Sequence, residues 1–230
     1  MHIGQWNNTR KTRKRPTILA AALAAWGLMT AAAHAFDDND QQLWVELSAD
    51  KSLGQAWHVL VRYEARYGDG ISDFYLFNTE AGVMREMGPF LDLSFIYRQQ
   101  YDEVDTTWRE ERRPCGVATL KWHILGIAFK DRNRLEMRWF EEANESWRYR
   151  NQLTITPPLT LTKWFIQPYV ADEVFYDFEP GKLDRNRLTA GLRASVGFLT
   201  PTIYAMWQAD CEAQDWQNTF VYGVGMGLWL

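Results

Sequence analysis

Polar and apolar residues alternate with a period of two along almost the whole chain. The stretch Trp147 to Val196 shows it best. In Trp147–Thr156 the odd positions are Trp147, Tyr149, Asn151, Leu153 and Ile155, and the even ones are Arg148, Arg150, Gln152, Thr154 and Thr156. In Trp164–Tyr176, Gln167, Tyr169, Ala171, Glu173 and Phe175 oppose Pro168, Val170, Asp172, Val174 and Tyr176. In Leu183–Val196, Arg185, Arg187, Thr189, Gly191 and Arg193 oppose Asn186, Leu188, Ala190 and Leu192. Successive side chains of a strand point to opposite faces, so each segment carries one apolar and one polar wall.

The same alternation predicts strands at Leu43–Ser48, Trp57–Tyr67, Asp73–Met84, Phe90–Tyr101, Thr107–Trp122, Asp131–Phe140, Pro201–Asp210 and Thr219–Leu230. That makes eleven readable strands. The connections between them alternate in character. One set is small or apolar: Ala49–Gln55, Arg85–Gly88, Ile124–Gly126, Pro157–Leu159 and Phe198–Pro201. The other carries carboxylates at every member, including Asp69, Asp102, Glu141, Glu179 and Asp210. Up-and-down strands send alternate connections to opposite rims, which predicts an all-β, antiparallel up-and-down transmembrane β-barrel with one compact and one acidic rim. Single-chain bacterial barrels favour even strand numbers, so about 12 strands are expected; either a strand is hidden, for example by fusion of Ile127–Lys130 with Asp131–Phe140, or the first segment is not a full strand.

The start of the chain changes the picture from a sheet protein to an exported one. Arg10, Lys11, Arg13, Lys14 and Arg15 precede the apolar run Ile18 to Thr30, and Ala33-His34-Ala35 supplies small residues for cleavage. Residues 1–35 read as a secretory signal peptide and 36–230 as the barrel. Removing those five bases leaves 20 Lys and Arg against 29 acids, a net charge of −9. The mature part has no apolar run of membrane-helix length. Its last strand places Phe220, Tyr222, Val224, Met226, Leu228 and Leu230 on one face up to the terminus, an outer-membrane assembly signal in pattern. This predicts the outer membrane of a Gram-negative bacterium, a periplasmic C-terminus and an acidic rim facing outward. The expected partners are outer-membrane lipid and lipopolysaccharide, the barrel assembly machinery during biogenesis, and divalent cations at the outer rim through Glu141, Glu142 and Glu145. No nucleic-acid partner and no cofactor are expected.

The polar wall is dense in arginine. It carries Arg62, Arg66, Arg98, Arg109, Arg113, Lys121, Arg132, Arg134, Arg138, Arg148, Arg150, Arg185, Arg187 and Arg193, with Glu46, Glu64, Glu80, Asp92, Glu111, Glu136, Glu173 and Asp210 as counter-charges. An Arg or Lys facing lipid near mid-membrane costs about 2–4 kcal/mol, so this wall is expected to line the lumen. The charge network is expected to centre on Arg62, Glu64, Glu80, Arg132, Arg134, Glu136, Arg138, Arg148, Arg150, Glu173, Arg185, Arg187 and Arg193. Such a lining suits the polar filling of a structural or interaction barrel. The same cations would suit a narrow, porin-like, anion-selective channel. An envelope-lipid-modifying enzyme is the third reading. The mature chain holds only His58 and His123, neither with a serine at a recognisable spacing, and no CxxC, HExxH or P-loop pattern. No catalytic residue and no metal ligand is assigned. Cys115 and Cys211 leave pairing open.

Several runs carry a resemblance. They are Gln42-Leu43-Trp44, Arg112-Arg113-Pro114, Asp131 to Arg138 (DRNRLEMR), Trp147 to Asn151 (WRYRN), Pro168 to Tyr176 (PYVADEVFY) and Asp184 to Leu188 (DRNRL). Together they resemble the domain-of-unknown-function family 2490 over essentially the whole mature chain. The resemblance implies a bacterial outer-membrane barrel and no particular substrate. The two cysteines, and Leu230 in place of a terminal aromatic, depart from the family's pattern.

Overall fold

The computed structural model describes residues 38–104, 107–140, 145–162, 165–179, 181–212 and 215–230. The expected signal peptide lies outside the described residues. The described chain is all strand and turn: β1 (Asp40–Gly54), β2 (Trp57–Gly68), β3 (Asp73–Glu86), β4 (Leu91–Val104), β5 (Thr107–Ile124), β6 (Ile127–Phe140), β7 (Ser146–Thr156), β8 (Gln167–Asp177), β9 (Lys182–Arg193), β10 (Leu199–Glu212) and β11 (Asp215–Trp229). Each strand pairs with its sequence neighbours, and β1 pairs with β11 to close the barrel.

Eleven strands among the described residues accord with the expectation of about 12, and no twelfth is hidden between Ile127 and Phe140. Ile127–Phe140 is one unbroken strand, because Ile124↔Ile127 and Glu111↔Phe140 belong to a single β5–β6 ladder. With eleven strands running up and down, the first and last must run the same way. β1 and β11 accordingly pair in parallel, from Asp40↔Thr219 to Asp50↔Trp229. Every other ladder is antiparallel.

Turn chemistry sets the compact rim. Two-residue hairpin loops need positive φ to match strand twist. Leu125 and Gly126 (φ 52° and 81°) supply it between β5 and β6, as do Gln55 and Ala56 between β1 and β2. On the lumen wall, glycine creates room for tyrosine. The Tyr169 ring occupies the space where Gly191 would carry a Cβ, and the Tyr204 ring fills the corresponding space at Gly223. These are direct cross-strand pairs, Tyr169↔Gly191 and Tyr204↔Gly223.

The barrel inverts the usual arrangement of a globular core. Its buried set includes Arg66, Arg98, Arg113, Arg134, Arg148, Arg150 and Arg187, whereas large apolar residues such as Val61, Phe95, Leu188, Ile203 and Val224 are exposed on the outer wall. Exposed aromatics gather toward both rims, with Trp57, Phe90, Phe165, Phe198 and Trp229 on the compact side and Trp108, Trp139, Trp147, Phe178 and Trp216 on the acidic side.

Candidate functional site: a charged septum across the lumen

The inward-facing arginines are held by carboxylates from neighbouring strands. Arg134 of β6 and Arg150 of β7 stand directly opposite each other, as do Glu136 and Arg148. Glu136 lies at the centre, fully buried, with Arg134 Nε at 2.8 Å, Arg148 Nη2 at 2.6 Å and Arg150 Nη1 at 2.9 Å. Arg150 Nη2 also reaches Glu173 at 2.7 Å, and Arg187 Nη1 lies 3.6 Å from the other Glu173 oxygen. Across the barrel, Arg134 Nη1 donates to Glu80 at 2.9 Å, and Arg98 Nη2 lies 2.6 Å from the same carboxylate oxygen. A guanidinium presents a planar fork of donors, which lets one side chain serve two carboxylates.

Aromatic rings complete the partition. Phe175 of β8 is 1% exposed, with the guanidinium carbons of Arg150, Arg187, Arg148 and Arg185 at 4.5, 4.7, 5.4 and 5.5 Å from its ring centre. Trp44 of β1 sits between Arg66 at 3.5 Å and Arg187 at 4.8 Å. Its indole Nε1 donates to Gln42 Oε1 at 3.1 Å, which also accepts from Tyr75 Oη at 2.7 Å. Arg66 Nε donates to Glu64 at 2.8 Å, and Asn78 Nδ2 donates to the same oxygen at 3.0 Å. On β10, Gln208 Oε1 accepts from Arg187 Nε at 2.7 Å. On β5, Cys115 Sγ accepts from Arg134 Nη2 at 3.0 Å. Val221 of β11 packs against Trp44. The contacts form a continuous septum that engages every strand.

All thirteen residues expected in the charge network lie on the lumen wall, and Glu64, Glu80, Glu136 and Glu173 are the partners that the alternation pointed to. Arg138 pairs with Glu111 at 2.6 Å and reaches Asp177 at 3.6 Å. Arg185 pairs with Asp210, and Glu111 also holds Arg113. The ion pairs of Arg62 among the described residues are long, 3.6 Å to Glu46 and 3.9 Å to Glu80. Arg193 rests over the Tyr169 ring at 5.1 Å. Phe175, Trp44 and Lys130 are missing from the sequence-level network. An aromatic standing on the polar wall of its strand, Phe175 two residues from Glu173 and Trp44 between Gln42 and Glu46, was the available signal for the first two.

The septum divides the lumen. A cavity of about 490 Å³ lies on the acidic side, lined by Phe175, Arg113, Arg138 and Asp210 among others. Two cavities of about 390 and 420 Å³ lie on the compact side and share Ser48, Arg62, Lys130, Arg132 and Trp229. His58 lines the latter, its Nδ1 2.7 Å from Asp50 Oδ1 and its Nε2 3.8 Å from Glu86. Ser52 stands opposite His58 in register, and its hydroxyl accepts from the Gly54 N–H at 3.5 Å.

Of the expected rim contacts, Glu141 and Glu142 lie outside the described residues and Glu145 is exposed. Among the described residues, no three His, Cys, Asp or Glu side chains are grouped to hold a metal ion. Cys115 is buried, Cys211 is half-buried, and both are free thiols.

The outer wall contains a surprise. Asn133, Asn151 and Asp172 share the outward faces of β6, β7 and β8 with residues such as Leu135, Leu153 and Val170. Asn151 is the sixth of eleven residues in β7, and Asp172 the sixth of eleven in β8. Asn151 Nδ2 donates to Asp131 Oδ1 at 2.5 Å and Asn133 Oδ1 at 3.1 Å, while Asn186 Nδ2 donates to Asp172 Oδ1 at 2.9 Å. A hydrogen-bonded polar strip therefore interrupts the apolar wall at mid-strand on β6 to β9.

Residues 41–217 match the model of the family described as protein of unknown function (DUF2490). The chain belongs to the DUF2490 family. No curated protein and no solved structure matches it. In this DUF2490 barrel the runs that carry the resemblance are those that build the septum: the DRNRLEMR run contributes Arg134 and Glu136, WRYRN contributes Arg148 and Arg150, and PYVADEVFY contributes Glu173 and Phe175.

Proposed function

We propose that this barrel resides in the outer membrane of a Gram-negative bacterium, with its C-terminus and compact rim periplasmic, and acts as a structural or interaction barrel rather than as a catalyst or open pore. The observation that carries the non-conducting part is the septum. Conduction needs a continuous hydrated path, and here Arg134 reaches from β6 to Glu80 on β3 across the lumen. The apolar outer wall with aromatics toward both rims supports the membrane placement, since such girdles sit at the two membrane–water interfaces. That placement sets the acidic rim against the phosphate-bearing outer leaflet, where divalent cations would bridge its carboxylates to lipid headgroups.

Planar-bilayer recording tests the occlusion. A silent barrel is expected at moderate voltage, and defined anion-selective steps would promote the channel reading. The excess of cations over carboxylates around the compact-side cavity is what favours that second reading. Heat-modifiable gel migration and retention in the detergent phase test the membrane placement. Hydrolysis or acyl transfer on envelope lipids that disappears in His58→Ala would replace the passive role with an enzymatic one.

A further inference from the structure

Each arginine of the septum has a carboxylate within ion-pair distance, but some cations of the compact-side lumen do not. Lys130 and Arg132 line both compact-side cavities, and Arg62 joins them. Among the described residues, neither Lys130 nor Arg132 has a carboxylate within ion-pair distance. The ladder explains why. Arg132 stands opposite Thr119 on β5 and Gln152 on β7, and Lys130 stands opposite Lys121 and Thr154. Lys121 takes the nearby Asp92 for itself at 2.7 Å. Arg193, on the facing wall of the same cavity, rests over the Tyr169 ring and has no ion pair among the described residues. Eight cationic side chains and three carboxylates line this cavity, and two of those carboxylates, Glu64 and Glu173, are already engaged by Arg66, Arg150 and Arg187.

The rest of the lining is neutral and rich in donors. Thr154, Thr189, Thr200 and Thr202 present hydroxyls, and Gly225 and Gly227 keep the β11 wall free of side chains. The septum forms the floor, through Trp44, Arg66, Arg98, Arg150 and Arg187. The space is a dead-end pocket open toward the compact rim and of a size that suits a small ligand.

We infer that this pocket binds a small, multiply charged oxyanion of the phosphate type. Guanidinium forks match tetrahedral oxyanions in bidentate fashion, the Lys130 ammonium adds a point charge, and threonine hydroxyls satisfy the remaining oxygens. Cations crowded around a pocket repel one another when it is empty. An anion placed between Lys130, Arg132 and Arg193 removes that repulsion. The inference uses only the closed lumen and does not require the membrane placement.

The test is isothermal titration of the detergent-purified barrel with inorganic phosphate and pyrophosphate at constant ionic strength, beside a NaCl control. Saturable binding is expected, tighter for pyrophosphate than for phosphate. It should weaken about tenfold or more in Lys130→Gln/Arg132→Gln, as loss of charge-assisted contacts requires. The outward-facing control Arg112→Gln should bind as the parent does. A second readout guards against misfolding: the ligand-free double variant should melt at or above the parent temperature, because it removes repulsion and no ion pair. Heat released equally by NaCl and pyrophosphate, unchanged binding in the double variant, or a lower ligand-free melting temperature for that variant would each overturn the assignment.

Discussion

Arg134 and Arg150 face each other directly across β6 and β7, two like charges in a cross-strand position that is ordinarily destabilising, and both turn to Glu136. One carboxylate thereby makes an otherwise repulsive register favourable. Removing one side of a buried ion pair typically costs about 3–5 kcal/mol, because the remaining charge stays buried without a partner. Glu136→Gln is expected to lower the melting temperature in detergent sharply, and Glu173→Gln to a lesser degree since it serves two arginines rather than three. The outward-facing Leu188→Val should change little. Small, equal shifts in all three would mean a wide, hydrated lumen.

Phe175 provides a separate test of the septum. Each arginine near its ring contributes on the order of 0.5–2 kcal/mol through the ring quadrupole. Phe175→Tyr keeps the ring, and Phe175→Leu keeps most of the apolar volume without it. The leucine variant should therefore melt well below the tyrosine variant. Matched melts would assign Phe175 a purely space-filling role.

Gly223 is expected to tolerate nothing larger than hydrogen. A Cβ there would occupy the space of the Tyr204 ring, which lies over it on the lumen wall. Overpacking of this kind costs about 1–3 kcal/mol. Gly223→Ala should destabilise the barrel, and Gly223→Ala combined with Tyr204→Ser should recover part of the loss. Gly225, whose added Cβ would meet only ordinary contacts, serves as the control.

Asp172 tests what the outer wall faces. A carboxylate at mid-strand on a lipid-facing wall is unfavourable, though less so than a lysine or arginine there. Asp172→Val removes it at the cost of one hydrogen bond from Asn186. If the wall faces hydrocarbon, the variant should refold more completely into lipid vesicles than the parent and melt at a higher temperature. A loss on both readouts would place this strip against a polar partner or water.

The two-residue period determined much of this protein before any coordinates. Side-chain alternation is a local property of extended backbone, so the eleven strands, the inward charged wall and the two kinds of rim were legible from residues such as Arg148, Arg150 and Gln152 facing away from Trp147, Tyr149 and Leu153. The alternation gives eleven strands directly, and the preference for even barrels moves the expectation to about 12. Only the ladder from Ile124↔Ile127 onward shows that residues 127–140 are one strand and that β1 and β11 therefore run parallel. Which charges pair is likewise a matter of register and reach. Arg134 has Glu136 two residues away on its own face, whereas Arg132 has Lys130 and Arg134 at that spacing, so part of the difference is local; the other partner of Arg134, Glu80 on β3, is not. Pairing between strands, as of Arg134 with Glu80 and Arg150 with Glu173, depends on which residues register and closure of the barrel bring together, and that is a property of the tertiary structure.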